Sequence, residues 1–223
     1  MQNIDEVTRS ADVAVVGAGI TGLSIAWHLA ALHVGSVVVY ERTGIGAEAS
    51  GVQPGGVRQQ WSTRVSCDLA KESVTFYRDV AERLGARVHP RLEQCGYLFV
   101  ADTAKVLAGL EANVTLQRGL GIPSRIVTPH EAAALVPGLR PDGMSGASYC
   151  AEDGYFDKPQ GVVAAFAEAA TREGVHLAHA AVVSIERSGA GWTITFRDGT
   201  RAAAGSVVVA AGYGSPEIVA DRP

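Results

Sequence analysis

Apolar positions along this chain fall into short continuous runs and helical stripes, and the two alternate from the start. Val13, Val15 and Val16 close one run, and Val37, Val38, Val39 and Tyr40 form another. Both read as strands buried on two faces, as in a parallel sheet. Residues 23–31 between them are apolar and alanine-rich over a helical length. The pattern predicts a βαβ unit. Ser62 or Thr63 then caps a helix running to Leu84, with Val65, Leu69, Phe76, Val80 and Leu84 on one face and Gly85 as the stop.

Residues 96–101 read as a strand, followed by a helix from Thr103 through Val106, Leu107, Leu110, Val114 and Leu120 to a stop at Gly121. Residues 122–127 form an extended link. Thr128, Pro129 and Glu131 make a capping box with proline at N1, opening a short helix that ends before Pro137. A loop, 137–146, leads to the segment 146–150. Asp157 as cap and Gln160 at N3 open another helix, whose Val162, Val163, Phe166 and Ala169 face inward and which Gly174 stops. Residues 175–177 return to the parallel sheet. Residues 181–187, 192–197 and 200–203 alternate as short antiparallel strands around an Asp198, Gly199 hairpin turn. Residues 206–212 are a further buried strand ending in small residues.

The middle of the chain breaks the βα alternation. The expected fold class is therefore α/β, Rossmann-type, with an inserted α+β domain at 91–150 and the first domain contributed by 1–90 and 151–223.

Candidate chemistry begins at the first turn. Gly17, Gly19 and Gly22 stand at G-x-G-x-x-G spacing between strand and helix. The first permits the tight turn, the second lets the backbone approach a pyrophosphate, and the third lets helix pack closely on strand. The phosphate charge would sit at the helix N-terminus, where unpaired N–H groups and the helix dipole favour an anion. Glu41 ends the second strand about 20 residues on, where a ribose-binding acid belongs. Strand, glycines, helix, strand and acid in one unit predict dinucleotide binding; the alternative is a glycine-rich turn that only packs. Residues 42–60 are glycine-rich and long for a loop, as functional loops often are. Gly55 and Gly56 would let the backbone approach a flat ligand, and Arg58, Gln59, Gln60 and Trp61 cluster at the loop's end.

Composition narrows the class. The 223 residues are 47% hydrophobic and 19% charged with a net charge of −4 and no basic run, which argues against a nucleic-acid surface. Residues 1–10 lack the basic start and apolar core of a signal peptide, and no run is long enough to span a bilayer, so the expected compartment is the cytoplasm. Cys67, Cys95 and Cys150 are odd in number with no C-x-x-C, and read as buried, inert thiols. His176 and His179 are three apart with no completing carboxylate, and no metal site is expected.

The βαβ start, the antiparallel strands near Trp192 and the 206–212 strand together resemble flavoproteins of the glutathione-reductase type; a plain nicotinamide dehydrogenase would continue βαβαβ. More narrowly, Glu41 and Arg42, the 49–51 Ala-Ser-Gly, the 55–59 Gly-Gly-Val-Arg-Gln, the 96–99 Gly-Tyr-Leu-Phe, the 128–131 capping box and the 154–159 Gly-Tyr-Phe-Asp-Lys-Pro resemble the D-amino-acid oxidase family. Within it the likeness is greatest to sarcosine oxidase and dye-linked L-proline dehydrogenase β-subunits.

The resemblance implies an FAD-binding domain with an inserted, incomplete substrate domain. It implies that Gly17, Ala18, Gly19, Ile20, Thr21 and Gly22 hold the FAD pyrophosphate, that Glu41 binds the adenosine ribose and that Arg42 flanks the adenine. Ser50 and Gly51 would approach the pyrophosphate, and Gly55, Gly56 and Val57 would line the isoalloxazine. Val183 would contact adenine through its backbone, and Ala211 and Gly212 would close that end. Arg58 would pair with a substrate carboxylate, for which a planar guanidinium is suited, or would form a structural ion pair. No His or Cys lies between Ser50 and Trp61 to tether a flavin, so the FAD is expected to be non-covalent.

The implied reaction is hydride transfer from an amine-bearing carbon of an amino acid or secondary amine, sarcosine-, proline- or glycine-like, to flavin N5. The imine is then hydrolysed, and oxygen or a partner protein takes the electrons. Members of the family continue well past the equivalent of Gly212, so this chain is expected to lack their C-terminal substrate-binding residues and oxygen-activating lysine region. Two alternatives stand beside the oxidoreductase: a non-catalytic FAD-holding subunit or fragment completed by a partner chain in a hetero-oligomer, and an NAD(P)-binding dehydrogenase.

Overall fold

The computed structural model describes residues 9–219. The chain opens with β1 (Ser10–Val16), α1 (Ile20–Ala31), β2 (Val37–Glu41) and the short α2 (Ala49–Val52). Next come β3 (Gly56–Val57), α3 (Arg64–Arg78), α4 (Val80–Leu84), β4 (Leu92–Glu93), β5 (Tyr97–Ala101), α5 (Ala104–Gly119), β6 (Arg125–Val127), α6 (Pro129–Leu135), β7 (Gly146–Cys150) and β8 (Gly154–Phe156). It closes with α7 (Pro159–Arg172), β9 (His176–His179), β10 (Val182–Ser188), β11 (Gly191–Phe196), β12 (Arg201–Val209) and α8 (Ser215–Val219).

These elements form two units. One takes the described parts of residues 1–53, 81–90 and 158–223; the other takes 54–80 and 91–157. The boundaries differ from those expected at 91 and 150, because 54–80 and 151–157 belong with the middle of the chain. β3 explains part of this, since Gly56 and Val57 pair antiparallel with Tyr155 and Gly154 of β8.

In the first unit a six-stranded sheet runs β10-β11-β12-β1-β2-β9. β1 pairs in parallel with β2 on one side and with β12 on the other, Val16 standing opposite both Tyr40 and Val209. A core of Ala14, Val38, Tyr40, Ile185, Ile194 and Phe196 fills one face, with the Tyr40 and Phe196 rings 4.8 Å apart in an edge contact. The expected strands at 200–203 and 206–212 are a single strand. β12 uses one backbone edge for β11, antiparallel, and the other for β1, parallel. Gly205 looks like a break between them, yet it keeps the strand close to β1: a Cβ there would stand 2.9 Å from Asp12 O. The helix at 159–172 is capped by Lys158 rather than Asp157, without a side-chain bond, because Pro159 takes the first helical position.

The second unit holds two three-stranded antiparallel sheets, β3-β8-β4 and β5-β7-β6. Thr63, Thr103 and Thr128 cap their helices as the pattern predicts, and Thr128 with Glu131 closes a complete capping box. The buried face of α3 does not match its apolar pattern. Val65 and Leu69 are 68% and 66% exposed, while Cys67 and Val74 are buried. Cys67 packs with Ile122, Cys150, Leu116 and Leu120, so the neighbouring α5 selects the face. The expected single helix to Leu84 is interrupted at Asp79, its residues falling to α3 and α4. Cys67 and Cys150 are buried; Cys95 is exposed, contrary to expectation, because it lies in the turn before Gly96, whose φ is +85°.

Candidate functional site

Two glycines of the first turn are demanded by packing. Gly17 has φ +107°, and a Cβ on it would stand 2.5 Å from Ala210 O; a Cβ on Gly22 would collide with Gly17 O. Gly19 differs. It is the extended N-cap of α1 and offers no side chain, and the first turn of that helix holds no acid. The N-terminus is nevertheless supplied with a polar group, since the Ile20 N–H donates to Ser50 Oγ at 3.0 Å. A twelve-residue helix whose N-cap offers no side chain, with no acid in its first turn and a nearby hydroxyl, is suited to an anion.

Glu41 ties this turn to the end of β2. Its Oε2 accepts the Ala18 N–H at 2.8 Å, and its Oε1 accepts Thr43 N–H and Oγ1–H at 2.8 and 3.0 Å and Gly44 N–H at 3.4 Å. Half-burial alone would push the carboxyl up, but these donors outweigh it and hold it below the ordinary glutamate range. Thr43 was not singled out from the sequence. Arg42 donates to Glu48 Oε1 at 3.2 Å and to Tyr213 OH at 3.0 Å.

The loop after β2 is drawn back to the turn, with Gly46 N–H donating to Ala18 O at 3.0 Å. Gly51 lies so close that a Cβ on it would collide with Gly46 O, and Gln160 donates to its carbonyl at 2.5 Å. A mostly apolar groove of about 450 Å³ lies beside this loop, lined by Ile45, Gly46, Gly51, Gln160, Val163 and neighbouring alanines of α7.

Ala210 N–H donates to Val16 O at 2.8 Å, bringing Ala211 and Gly212, with φ +58° at the latter, alongside the glycine turn. Val183 lies on β10, three strands from β1, where the pairing register shifts between Val182 and Ser184. Three residues earlier, Ala180 N–H donates to Glu41 O at 2.9 Å.

In the second unit Gly55 has φ +84°, and a Cβ on it would stand 2.5 Å from Phe156 O. Its carbonyl accepts the Phe156 N–H at 2.9 Å, which docks β3 on β8 ahead of Arg58. The Arg58 guanidinium lies 4.4 Å from the Trp61 ring centre and 5.2 Å from that of Phe99. Its Nε is buried without a hydrogen-bond partner, and among the described residues no carboxylate pairs with it. The structural ion pair that is the alternative for this arginine is not formed among the described residues.

The residues after Arg58 turn inward. Gln59 N–H donates to Asp153 Oδ1 at 2.9 Å, and Gln60 Nε2 donates to Asp153 Oδ2 at 3.1 Å and to Tyr97 O at 2.9 Å. Ser148 Oγ donates to Gln60 Oε1 at 2.9 Å. Asp153 is fully buried, and burial pushes its carboxyl up against these donors. Burial and the neighbouring Asp153 push the Cys150 thiol up to about 12. Nothing in the sequence around Asp153 marks it as buried; its only signal is its place just before the glycine of the 154–159 motif. Among the described residues no cluster could hold a metal ion, and no helix is long and apolar enough to cross a membrane.

A protein family described as DAO, FAD dependent oxidoreductase, matches residues 12–223. The chain is 34% identical over 185 residues to FAD-dependent oxidoreductase domain-containing protein 1 of Xenopus laevis, covering 77% of this chain and 36% of that protein. It is 31% identical over 212 residues to glycine oxidase of Geobacillus kaustophilus (strain HTA426), covering 92% and 55%. A crystal structure of L-proline dehydrogenase from P. horikoshii superposes with a TM-score of 0.85 at 27% identity, over 95% of this chain and 55% of that one. The chain spans less than two thirds of the length of each of these relatives.

Proposed function

The chain belongs to the DAO family of FAD-dependent oxidoreductases, and on that footing we propose that it oxidises the C–N bond of a small amino acid or secondary amine, sarcosine-, proline- or glycine-like, to an imine. The observation that carries this reading is Arg58, a guanidinium held by two aromatic rings, with a buried, unpartnered Nε and no carboxylate partner among the described residues. A half-buried guanidinium fixed beside two rings, with no counter-ion among the described residues, is suited to receive an external carboxylate, which it can take by two parallel N–H···O bonds.

The first unit fits FAD. The N-terminus of α1, whose N-cap Gly19 offers no side chain, and the absence of an acid in its first turn suit a pyrophosphate, so Gly17 to Gly22 with Ala18, Ile20 and Thr21 are assigned there, and Ser50 and Gly51 beside them. Oε2 of Glu41, which accepts the Ala18 N–H, keeps a second lone pair for a ribose hydroxyl, whereas Oε1 is taken up by Thr43 and Gly44. Arg42 is assigned to the adenine, together with Val183, whose ladder register is broken, and Ala211 with Gly212. In the second unit Gly55, Gly56 and Val57 are assigned to the isoalloxazine ring, held without a covalent bond.

When bound, FAD supplies the two-electron acceptor for amine oxidation. Arg58 binds and orients the carboxylate end of the substrate, which fixes the amine-bearing carbon at the other end. The rings of Trp61 and Phe99 flank the guanidinium and shield part of it from water, which strengthens its attraction for an anion. No side chain is assigned as a base, because an amine bound in its neutral form requires none.

A second reading, in which this chain holds FAD and a partner chain completes the site, draws support from the exposed Val65 and Leu69 on α3. Anaerobic addition of sarcosine, L-proline or glycine to the FAD-loaded protein is the test. Bleaching of the flavin by one of them sustains the first reading. Bleaching only after a partner chain is added would favour the second, and a colourless protein that binds NADH would remove both.

A further inference from the structure

We propose that Asp153 is the positioning residue that holds Arg58 ready for a substrate carboxylate, acting through the Gln59 main chain and the Gln60 side chain. The inference rests on the assignment of Arg58 above. A buried carboxylate without a cation is costly to keep, and it is kept here for no stabilising ion pair: among the described residues no Lys, Arg or His pairs with Asp153.

Besides the Cys150 thiol, its side-chain contacts converge on the surroundings of Arg58. Oδ1 accepts the N–H of Gln59, which fixes the peptide that leaves Arg58. Trp61 N–H donates to Gln59 O at 2.9 Å, so the ring under the guanidinium hangs from the same residue. Oδ2 accepts from Gln60, whose amide also reaches Tyr97 O on β5 and receives Ser148 Oγ on β7. β5 carries Phe99, the second ring, and Ser148 stands opposite Phe99 in the β5–β7 pairing. One carboxylate therefore fixes the main chain at Arg58 and both of the elements that supply its aromatic walls.

The electrostatic character of the group matters as well as its shape. Gln60 turns its oxygen to Ser148 and its NH₂ to Tyr97 O and Asp153. An Asn at 153 would either present an NH₂ to a donor or force Gln60 to flip against Tyr97 O, leaving one buried group unpaired in each case.

The test uses the FAD-loaded full chain and paired probes that differ only by a carboxylate: L-proline against pyrrolidine, and sarcosine against dimethylamine. Binding is read from perturbation of flavin absorbance, and the Arg58 Nε–H resonance is followed by ¹⁵N NMR. Asp153→Asn and Gln60→Ala are expected to weaken the carboxylate probes roughly tenfold, as small displacements of a positioning group do. The decarboxylated probes should bind within about twofold of the unmodified protein, FAD should bind unchanged, and the Arg58 resonance should shift or broaden. If Asp153→Asn does not fold, Gln60→Ala decides alone. Equal weakening of both members of each pair would overturn the proposal by reducing Asp153 to a structural group. Arg58→Ala separates the two levels. If it does not abolish the preference for the carboxylate probe, the Arg58 reading itself fails. If it does, while the Asp153 and Gln60 variants keep both the preference and the resonance, only the positioning role fails.

Discussion

Glu41 Oε2 accepts the Ala18 N–H at 2.8 Å, so the acid at the end of the second strand braces the middle of the glycine turn it was expected to serve from a distance. Its second oxygen braces residues 43 and 44 in the same way. Glu41→Gln must turn an NH₂ towards one of these donors. We expect a loss of about 1–3 kcal/mol in stability and at least tenfold weaker FAD binding, read by thermal unfolding and by fluorescence titration of the apoprotein.

The same contacts set a pH dependence. The Glu41 carboxyl is depressed in the folded state relative to its ordinary value of 4.5. Its contribution to stability is therefore complete above pH 4.5 and is lost as the pH falls through the lower folded value. Asp153 has the opposite sign: its carboxyl is raised above 3.8, so its contribution is most favourable below that value and is lost as the pH rises through the folded one. Stability curves of the Glu41→Gln and Asp153→Asn variants, each subtracted from that of the unmodified protein, should slope in opposite directions in the acid range. Parallel slopes would contradict this.

The three glycines of the turn should separate by experiment. Gly17→Ala meets Ala210 O and an unfavourable φ, and Gly22→Ala meets Gly17 O, so each should cost at least about 2 kcal/mol. Gly19→Ala meets only Ser50 Oγ, at 3.2 Å. It should fold nearly normally and lose FAD affinity, and an unchanged affinity would place the pyrophosphate elsewhere.

Arg58→Lys keeps the charge but loses the two-pronged geometry and the fit between two rings. The expected result is a KM for a carboxylate substrate raised about tenfold or more, with FAD affinity unchanged. Identical kinetics would remove Arg58 from the site.

On α3 the structure and the apolar pattern make opposite forecasts. Leu69→Asp should change stability by no more than about 0.5 kcal/mol, since Leu69 faces solvent, whereas Val74→Ala should cost about 1–2 kcal/mol. Chemical unfolding of the two variants decides between them.

Local chemistry was legible along the chain. The glycine spacing, the acid twenty-odd positions later, the capping threonines at 63, 103 and 128, and the hairpin turn at 198–199 each depend on residues within a short reach or on one βαβ unit. Such signals hold because backbone geometry over a few residues leaves few alternatives. The loop to Arg58 was legible as a cluster of polar groups after glycines, though not as a cradle.

Everything that depends on which surfaces meet was decided by the tertiary structure. Val65 and Leu69 have the spacing of a core stripe, but α5 packs against Cys67 instead. Residues 200–212 read as two strands until β1 and β11 claim opposite edges of one. That no acid among the described residues pairs with Arg58, and that an acid beside Gln59 is fully buried, follow from strands that lie far apart in sequence. Burial and charge pairing are properties of neighbours in space, and a linear pattern carries them only where those neighbours are also near in the chain.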